Sequence, residues 1–218
     1  MVNIIIDNSG SMVQYMEDII FSINDCLNFT SLNNPFLIEN LTPKKGFSGN
    51  LCTFNESVDI TGCCFGIDKV NIMVSNSRKT NLGLAIKELN EIDAFTKDSI
   101  NFVIIDGPIS DKQLFDHEAK KIFDQTNIKS DIEDYPTFFC LSLGPICDIK
   151  ECIPLYGYGY QLKDNKREAK NVIRNYFKSF FYQYLSLYPS LTLDPLLNQW
   201  RPKIQSPIKQ IYELEYKN

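Results

Sequence analysis

Ile100-Asn101-Phe102-Val103-Ile104-Ile105 is a nearly continuous apolar run, and Val2-Asn3-Ile4-Ile5-Ile6 is a second one at the other end of the first hundred residues. Runs this short and this apolar lack the polar alternation of a half-solvated strand, and are expected where a parallel sheet is buried on both faces. The segments between them have a different period. Met12, Met16, Ile19, Ile20, Ile23 and Leu27 recur at spacings that place them on one face of a helix of about four turns. Leu82, Ala85, Ile86, Leu89 and Ile92 predict a second helix, and Leu114, Phe115, Ala119, Ile122 and Phe123 a third. Leu51–Phe54 and Ser57–Ile60, separated by Asn55-Glu56, predict two strands in a tight antiparallel hairpin. Thr137–Leu143 is a further strand. Ala169, Val172, Ile173, Tyr176, Phe177, Phe180, Phe181, Tyr184 and Leu185 mark a long last helix. The order predicts an α/β chain: a Rossmann-like, doubly wound, mainly parallel sheet with one antiparallel hairpin strand at or near an edge and helices on both faces.

The pattern changes after residue 188. Pro189, Pro195, Pro202 and Pro207 interrupt any regular element. Yet Trp200, Ile208, Ile211, Tyr212, Leu214 and Tyr216 make the segment too apolar to remain solvated. The reading is one domain over 1–188 and a Pro-interrupted extension over 189–218 that packs on the domain or on a partner. A net charge of −5 argues against nucleic acid or an anionic membrane as partner, since both select a basic face. The longest apolar runs fall far short of the ~20 residues of a membrane span. Seven cysteines, an odd number with no secretory signal before the first strand, are expected to be free thiols in a reducing cytoplasm.

Asp7-Asn8-Ser9-Gly10-Ser11 follows the first apolar run directly. One carboxylate and two hydroxyls on a single short loop are hard oxygen donors of the kind a small divalent cation takes. The carboxyl edge of an open α/β sheet is also where ligands bind. This strand-end Asp-x-Ser-x-Ser resembles the metal-ion-dependent adhesion site of von Willebrand factor A (vWA) domains. Two more segments extend the resemblance, which covers about residues 1–188. In Arg78-Lys79-Thr80-Asn81-Leu82-Gly83, Thr80 matches the family's second-loop threonine, with Lys79 where the family usually has glycine. Asp106-Gly107, at the end of the second apolar run, matches its third-loop aspartate. The resemblance implies that Asp7, Ser9, Ser11, Thr80 and Asp106 hold Mg²⁺ or Mn²⁺. It also implies that the ion's open position takes a Glu or Asp carboxylate of a partner protein. Asn8, Met12, Lys79 and Ser110, neighbours of these residues in sequence, are expected to shape the partner-binding rim. Asp111 resembles an acidic residue that caps the family's third helix. Compact chains of this kind resemble the vWA proteins of tellurium-resistance-type stress and defence clusters, which implies an assembly role.

Other readings of the same residues remain open. Ser9 or Ser11 alone suits the cap of the first helix, Thr80 the cap of the second, and Asp106 a turn before Gly107. The whole site is then a vestige on a vWA scaffold. A strand-end Asp followed by a later Asp and Thr also resembles haloacid-dehalogenase-like phosphohydrolases. Their general acid, two residues after the nucleophile, is replaced here by Ser9. Cys63-Cys64 and Cys147-x4-Cys152 lack the paired short spacings of a zinc site. His117 falls in a helix without a nucleophile, and neither Gly-x-Ser-x-Gly nor a phosphate-cradling Gly-rich loop is present, so no enzyme is expected. Tyr156-Gly157-Tyr158-Gly159-Tyr160 reads either as a partner-contact loop or as the last sheet strand. Lys163-Asp164-Asn165-Lys166-Arg167 reads as a solvated helix start.

Overall fold

Val2–Asp7 and Ile100–Ile105 are buried at every position, which requires a layer on each face and a neighbouring strand on each edge. The computed structural model supplies both. It describes residues 1–27, 47–97, 99–125, 136–155, 157–162, 169–174, 176–177 and 212–214. Among these, β1 (Val2–Asp7), β2 (Phe47–Phe54), β3 (Val58–Phe65), β4 (Ile100–Ile105), β5 (Thr137–Leu143), β6 (Gly157–Leu162) and β7 (Tyr212–Leu214) form one sheet. Its order is β3-β2-β1-β4-β5-β6-β7. Every pairing from β2 to β6 is parallel. The hairpin strand β3 runs antiparallel at one edge, as its turn residues predict. At the other edge β7, from within the Pro-interrupted extension, adds a second antiparallel pairing against β6. The glycine-tyrosine run is thus sheet strand over Gly157–Leu162. The rest of the extension, Trp200 and its prolines included, lies outside the described residues, as does Lys163–Arg167.

The strand period sorts the side chains onto the two faces. Ile4, Ile6, Phe102, Ile104, Phe139 and Leu141 pack with Tyr15, Met16, Ile19 and Ile23 of α1 (Val13–Leu27) and with Ala169, Ile173, Tyr176 and Phe177. Those last four belong to the helical residues 169–174 and 176–177. Phe180, Phe181, Tyr184 and Leu185 of the same predicted helix lie outside the described residues. Ile5, Cys52, Phe54, Val103, Ile105, Phe138 and Cys140 face the other way. They pack with Leu82, Ala85, Ile86 and Leu89 of α2 (Leu82–Glu91) and with Phe115, Ala119 and Ile122 of α3 (Lys112–Gln125). Helices therefore cover both faces, and the doubly wound expectation holds.

The asparagines that interrupt the apolar runs have a purpose of their own. Asn3, Asn50 and Asn101 stand opposite one another across β2, β1 and β4. Asn50 Nδ2 donates to Asn3 Oδ1 at 2.8 Å, and Asn3 Nδ2 donates to Asn101 Oδ1 at 2.7 Å and to the Ala94 carbonyl at 2.8 Å. Asn101 Nδ2 continues to Ser99 Oγ at 3.1 Å and the Thr137 carbonyl at 3.2 Å. A register slip of one residue exchanges the faces of a strand, and here it also leaves buried amides unpaired. The ladder therefore fixes the register that puts the strand ends where they are. Asn3→Leu is expected to lower the urea-unfolding free energy by about 1–3 kcal/mol. A change within a few tenths of a kcal/mol in that measurement contradicts the role given to the ladder.

Candidate metal centre

From β1 the chain goes to β2 on one side and later returns to β4 on the other, so the loops leaving β1 and β4 diverge at the carboxyl edge between them. That reversal of strand order opens a crevice in a doubly wound sheet. Asp7 is the last residue of β1 and Asp106 directly follows β4.

The five residues singled out in the sequence meet there, joined by one run of hydrogen bonds. Thr80 Oγ1 donates to Asp7 Oδ2 at 3.0 Å. The Ser9 backbone N–H donates to Asp7 Oδ1 at 2.8 Å. Ser9 Oγ and Ser11 Oγ are hydrogen-bonded at 3.2 Å, and Ser11 Oγ donates to Asp106 Oδ1 at 2.8 Å. Asp7, Ser9, Thr80 and Asp106 are buried, whereas Ser11 is exposed and marks the open side. Capping does not account for the hydroxyls. Ser9 occupies the cap position of the 3-10 turn Gly10–Met12 but makes no side-chain cap bond. Thr80 turns its hydroxyl toward Asp7, away from the α2 backbone.

Asp111 departs from its expected role. It precedes α3, but its carboxylate reaches across to α2, accepting from Gly83 N–H at 2.9 Å and Leu84 N–H at 2.8 Å. Asn81 at the start of α2 contributes no side-chain cap, so Asp111 satisfies that helix end from the neighbouring loop. Such closeness requires Gly83: a Cβ there would sit 2.5 Å from Phe115 N and 2.9 Å from Asp111 Oδ2. A glycine in the first turn of a helix, where propensity disfavours it, was the sequence signal for this approach. Thr80 and Ser110 tie the same two loops reciprocally, Thr80 N–H to Ser110 Oγ at 3.0 Å and Ser110 N–H to the Thr80 carbonyl at 2.9 Å. Glu151, which sequence reasoning missed, accepts from Ile109 N–H at 3.0 Å and holds the loop after Asp106 from the far side.

The expected rim residues divide. Ser110 and Lys79 are exposed. Asn8 is half-buried and serves the loops, accepting from Asn55 Nδ2 at 2.8 Å and donating to the Met73 carbonyl at 3.3 Å. Met12 does not belong to the rim: it has no exposed surface and lies in the core under α1, because the 3-10 turn directs it inward. Cys52, Cys63, Cys140, Cys147 and Cys152 are free thiols, and burial pushes those of Cys52 and Cys147 up to about 12. Among the described residues no group of three or more His, Cys, Asp or Glu is placed to hold a metal.

Burial raises the pKa of Asp7, against the lowering effect of the bonds from Ser9 and Thr80. Burial, followed by the nearby Asp7 charge, raises Asp106 to about 6, while the Ser11 bond opposes the rise. Two buried carboxylates that disfavour each other's charge, bordered by three hydroxyls, fit a hard divalent cation. Gly107 leaves room beside them, since a Cβ there would come within 3.2 Å of Thr80 Oγ1.

The metal-free protein should register this strain. A carboxyl whose folded pKa lies above its ordinary value of 3.8 gives its full stabilisation below that value and loses it as pH rises through about 6. Asp106→Asn is therefore expected to stabilise the metal-free protein at pH 8 by about 2 kcal/mol, with the gain gone below pH 4. Thermal melts in chelator across that range measure it, and a pH-independent difference contradicts it. Asp111→Ala is expected to cost about 1–2 kcal/mol through the lost cap on α2, measured by urea unfolding.

No protein-family model matches the sequence, and no curated protein matches it. Solved structures do match its shape. Proximal thread matrix protein 1 (PTMP1) from the mussel byssus, crystal form 2, superposes with a TM-score of 0.54 at 14% identity, over 81% of this chain and 46% of that one. The same protein with a zinc-occupied MIDAS motif gives 0.53, again at 14% identity and the same two coverages. The ArnB paralog VWA2 from Sulfolobus acidocaldarius gives 0.49 at 14% identity, over 80% of this chain and 44% of that one. The chain thus spans less than half the length of the solved structures it matches. Sheet order, helices on both faces and the two PTMP1 superpositions agree: the chain has the fold of a von Willebrand factor A domain.

Proposed function

We propose that this chain is a metal-dependent protein–protein interaction module that captures a partner's Asp or Glu side chain through a divalent cation. The observation that carries the reading is the run of hydrogen bonds from Thr80 through Asp7, Ser9 and Ser11 to Asp106, buried except at Ser11. Asp7 and Asp106 supply the charge, and Ser9, Ser11 and Thr80 the neutral oxygens. A divalent ion bound there supplies a Lewis-acidic position for an external carboxylate. The zinc-occupied MIDAS motif of PTMP1 supports a divalent ion at this place in the fold. Mg²⁺, or Mn²⁺ in its place, is the choice that cellular abundance favours.

The role is one of binding without catalysis. Ser9 stands where a phosphohydrolase built on Asp7 needs its acid, and the exposed His117 lies on α3. The partner is a protein, not nucleic acid or membrane: the chain is net acidic, and among the described residues no helix is long and apolar enough to cross a bilayer. Free thiols fit a cytoplasmic setting, and assembly within a stress or defence system of the tellurium-resistance type is the cellular role proposed.

Calorimetric titration of the metal-stripped protein with Mg²⁺ and with Mn²⁺ tests this directly. One ion is expected to bind per chain, and Asp7→Ala to abolish binding with an unchanged circular dichroism spectrum. No heat with either ion, alone or with a large excess of acetate to fill the open position, would mean a vestigial site.

A further inference from the structure

The loop that delivers Thr80 also carries two adjacent cations, Arg78 and Lys79. Its backbone is pinned on both sides of them. Gly10 N–H donates to the Ser77 carbonyl at 2.9 Å, and Ser75 N–H to the Asn8 carbonyl at 2.8 Å. Ser77 N–H donates to Ser75 Oγ and Lys79 N–H to Ser77 Oγ, both at 3.1 Å, and Thr80 N–H is held by Ser110. The two side chains are exposed, and among the described residues neither is in a salt bridge. Glu56 Oε1 accepts from Ser77 Oγ at 3.3 Å. Free cationic ends on a fixed backbone engage an anion without the cost of ordering a loop.

Apolar side chains stand on the same carboxyl edge. Val13, directly after the Ser11 turn, is 67% exposed, and Met73, whose carbonyl is held by Asn8, is 85% exposed. Ile146, 74% exposed, lies between Gly144, where a Cβ would meet the Tyr15 hydroxyl at 3.5 Å, and Cys147. Both the Tyr15 hydroxyl and the Cys147 thiol feel the charge of Asp106, which places this loop beside the site.

Resting on the metal-dependent reading, we propose that Arg78 and Lys79 form a second anion-reading subsite, so that the surface selects a partner segment with two nearby carboxylates and an adjacent apolar side chain. One carboxylate fills the metal centre, the second meets Arg78 and Lys79, and the apolar side chain lies among Val13, Met73 and Ile146. Charge complementarity carries the choice of occupant. A chain of net charge −5 repels acidic segments in general, and these two cations attract them at the one place where a carboxylate is wanted.

Fluorescence polarisation with synthetic peptides on the Mn²⁺-saturated protein tests this. The probes are a peptide with Leu-Asp-Ala-Glu at its centre and the same peptide with Gln in place of Glu. The diacid is expected to bind on the order of fivefold more tightly than the monoacid, as one well-placed surface ion pair allows. The double variant Arg78→Ala/Lys79→Ala should bind both equally without lowered Mn²⁺ affinity, and Arg78→Glu/Lys79→Glu should prefer the monoacid. Equal binding by the wild type, or a preference that survives in the alanine variant, overturns this subsite and leaves the metal bridge standing. Monoacid binding that persists in chelator or in Asp7→Ala overturns the metal bridge instead. No binding of either peptide overturns both.

Discussion

A carboxylate with no exposed surface at the middle of a sheet is the constraint around which this molecule is arranged. Asp7 ends β1, an interior strand whose neighbours on either side are β2 and β4. Burial favours its neutral form. The surrounding groups oppose that tendency through a backbone N–H and a threonine hydroxyl directed at its two oxygens. Those donors belong to separate segments of chain, so the ionised form of Asp7 depends on the sheet bringing β1 and the α2 loop together. The asparagine ladder at the opposite end of the same strands fixes their register, and so the height at which Asp7 and Asp106 emerge.

The site is held more tightly on one side than on the other. The loops carrying Thr80 and Asp106 behave as one piece: Ser110 and Thr80 exchange two bonds, Asp111 caps α2, and Gly83 lets α2 and α3 approach closely enough for both. Glu151 braces that piece from the segment after β5. The Ser9–Ser11 turn joins it through the bond from Ser11 to Asp106 and that from Gly10 N–H to the Ser77 carbonyl, and Ser11 is the exposed residue. A site built this way has fixed carboxylates and one open side, which suits a ligand that arrives from outside.

Much of this was legible in the sequence, for a physical reason in each case. Doubly buried strands leave apolar runs, amphipathic helices leave a period near 3.6, and a strand-end Asp-x-Ser-x-Ser is a dense group of oxygens with few other uses. What stayed hidden was direction. Asp111 is a helix-cap residue by position, and only the tertiary approach of two helices decides which helix it caps. Met12 follows Ser11 in sequence, and the tight 3-10 turn rotates it into the core. Asn3 and Asn101 appear as breaks in apolar runs until the register places them beside Asn50. The strand β7 could not be read locally, since three residues after the last proline carry no period of their own and pair only because β6 offers an open edge.

The donor set also explains why the acidic chain carries cations beside this site. Asp7 and Asp106 bring two negative charges and Ser9, Ser11 and Thr80 none, so the residues match a divalent ion's charge without exceeding it. In the proposed role a third carboxylate, from a partner, would make the assembly net anionic, in a crevice whose low dielectric magnifies that charge. Within the chain, the described residues nearest in sequence that can compensate are Arg78 and Lys79, next to Thr80 on a backbone already tied to Gly10 and Ser110. Lys79 stands where glycine is usual in domains of this resemblance. In the proposed role its charge compensates for the incoming carboxylate, a need that arises only when the site is engaged.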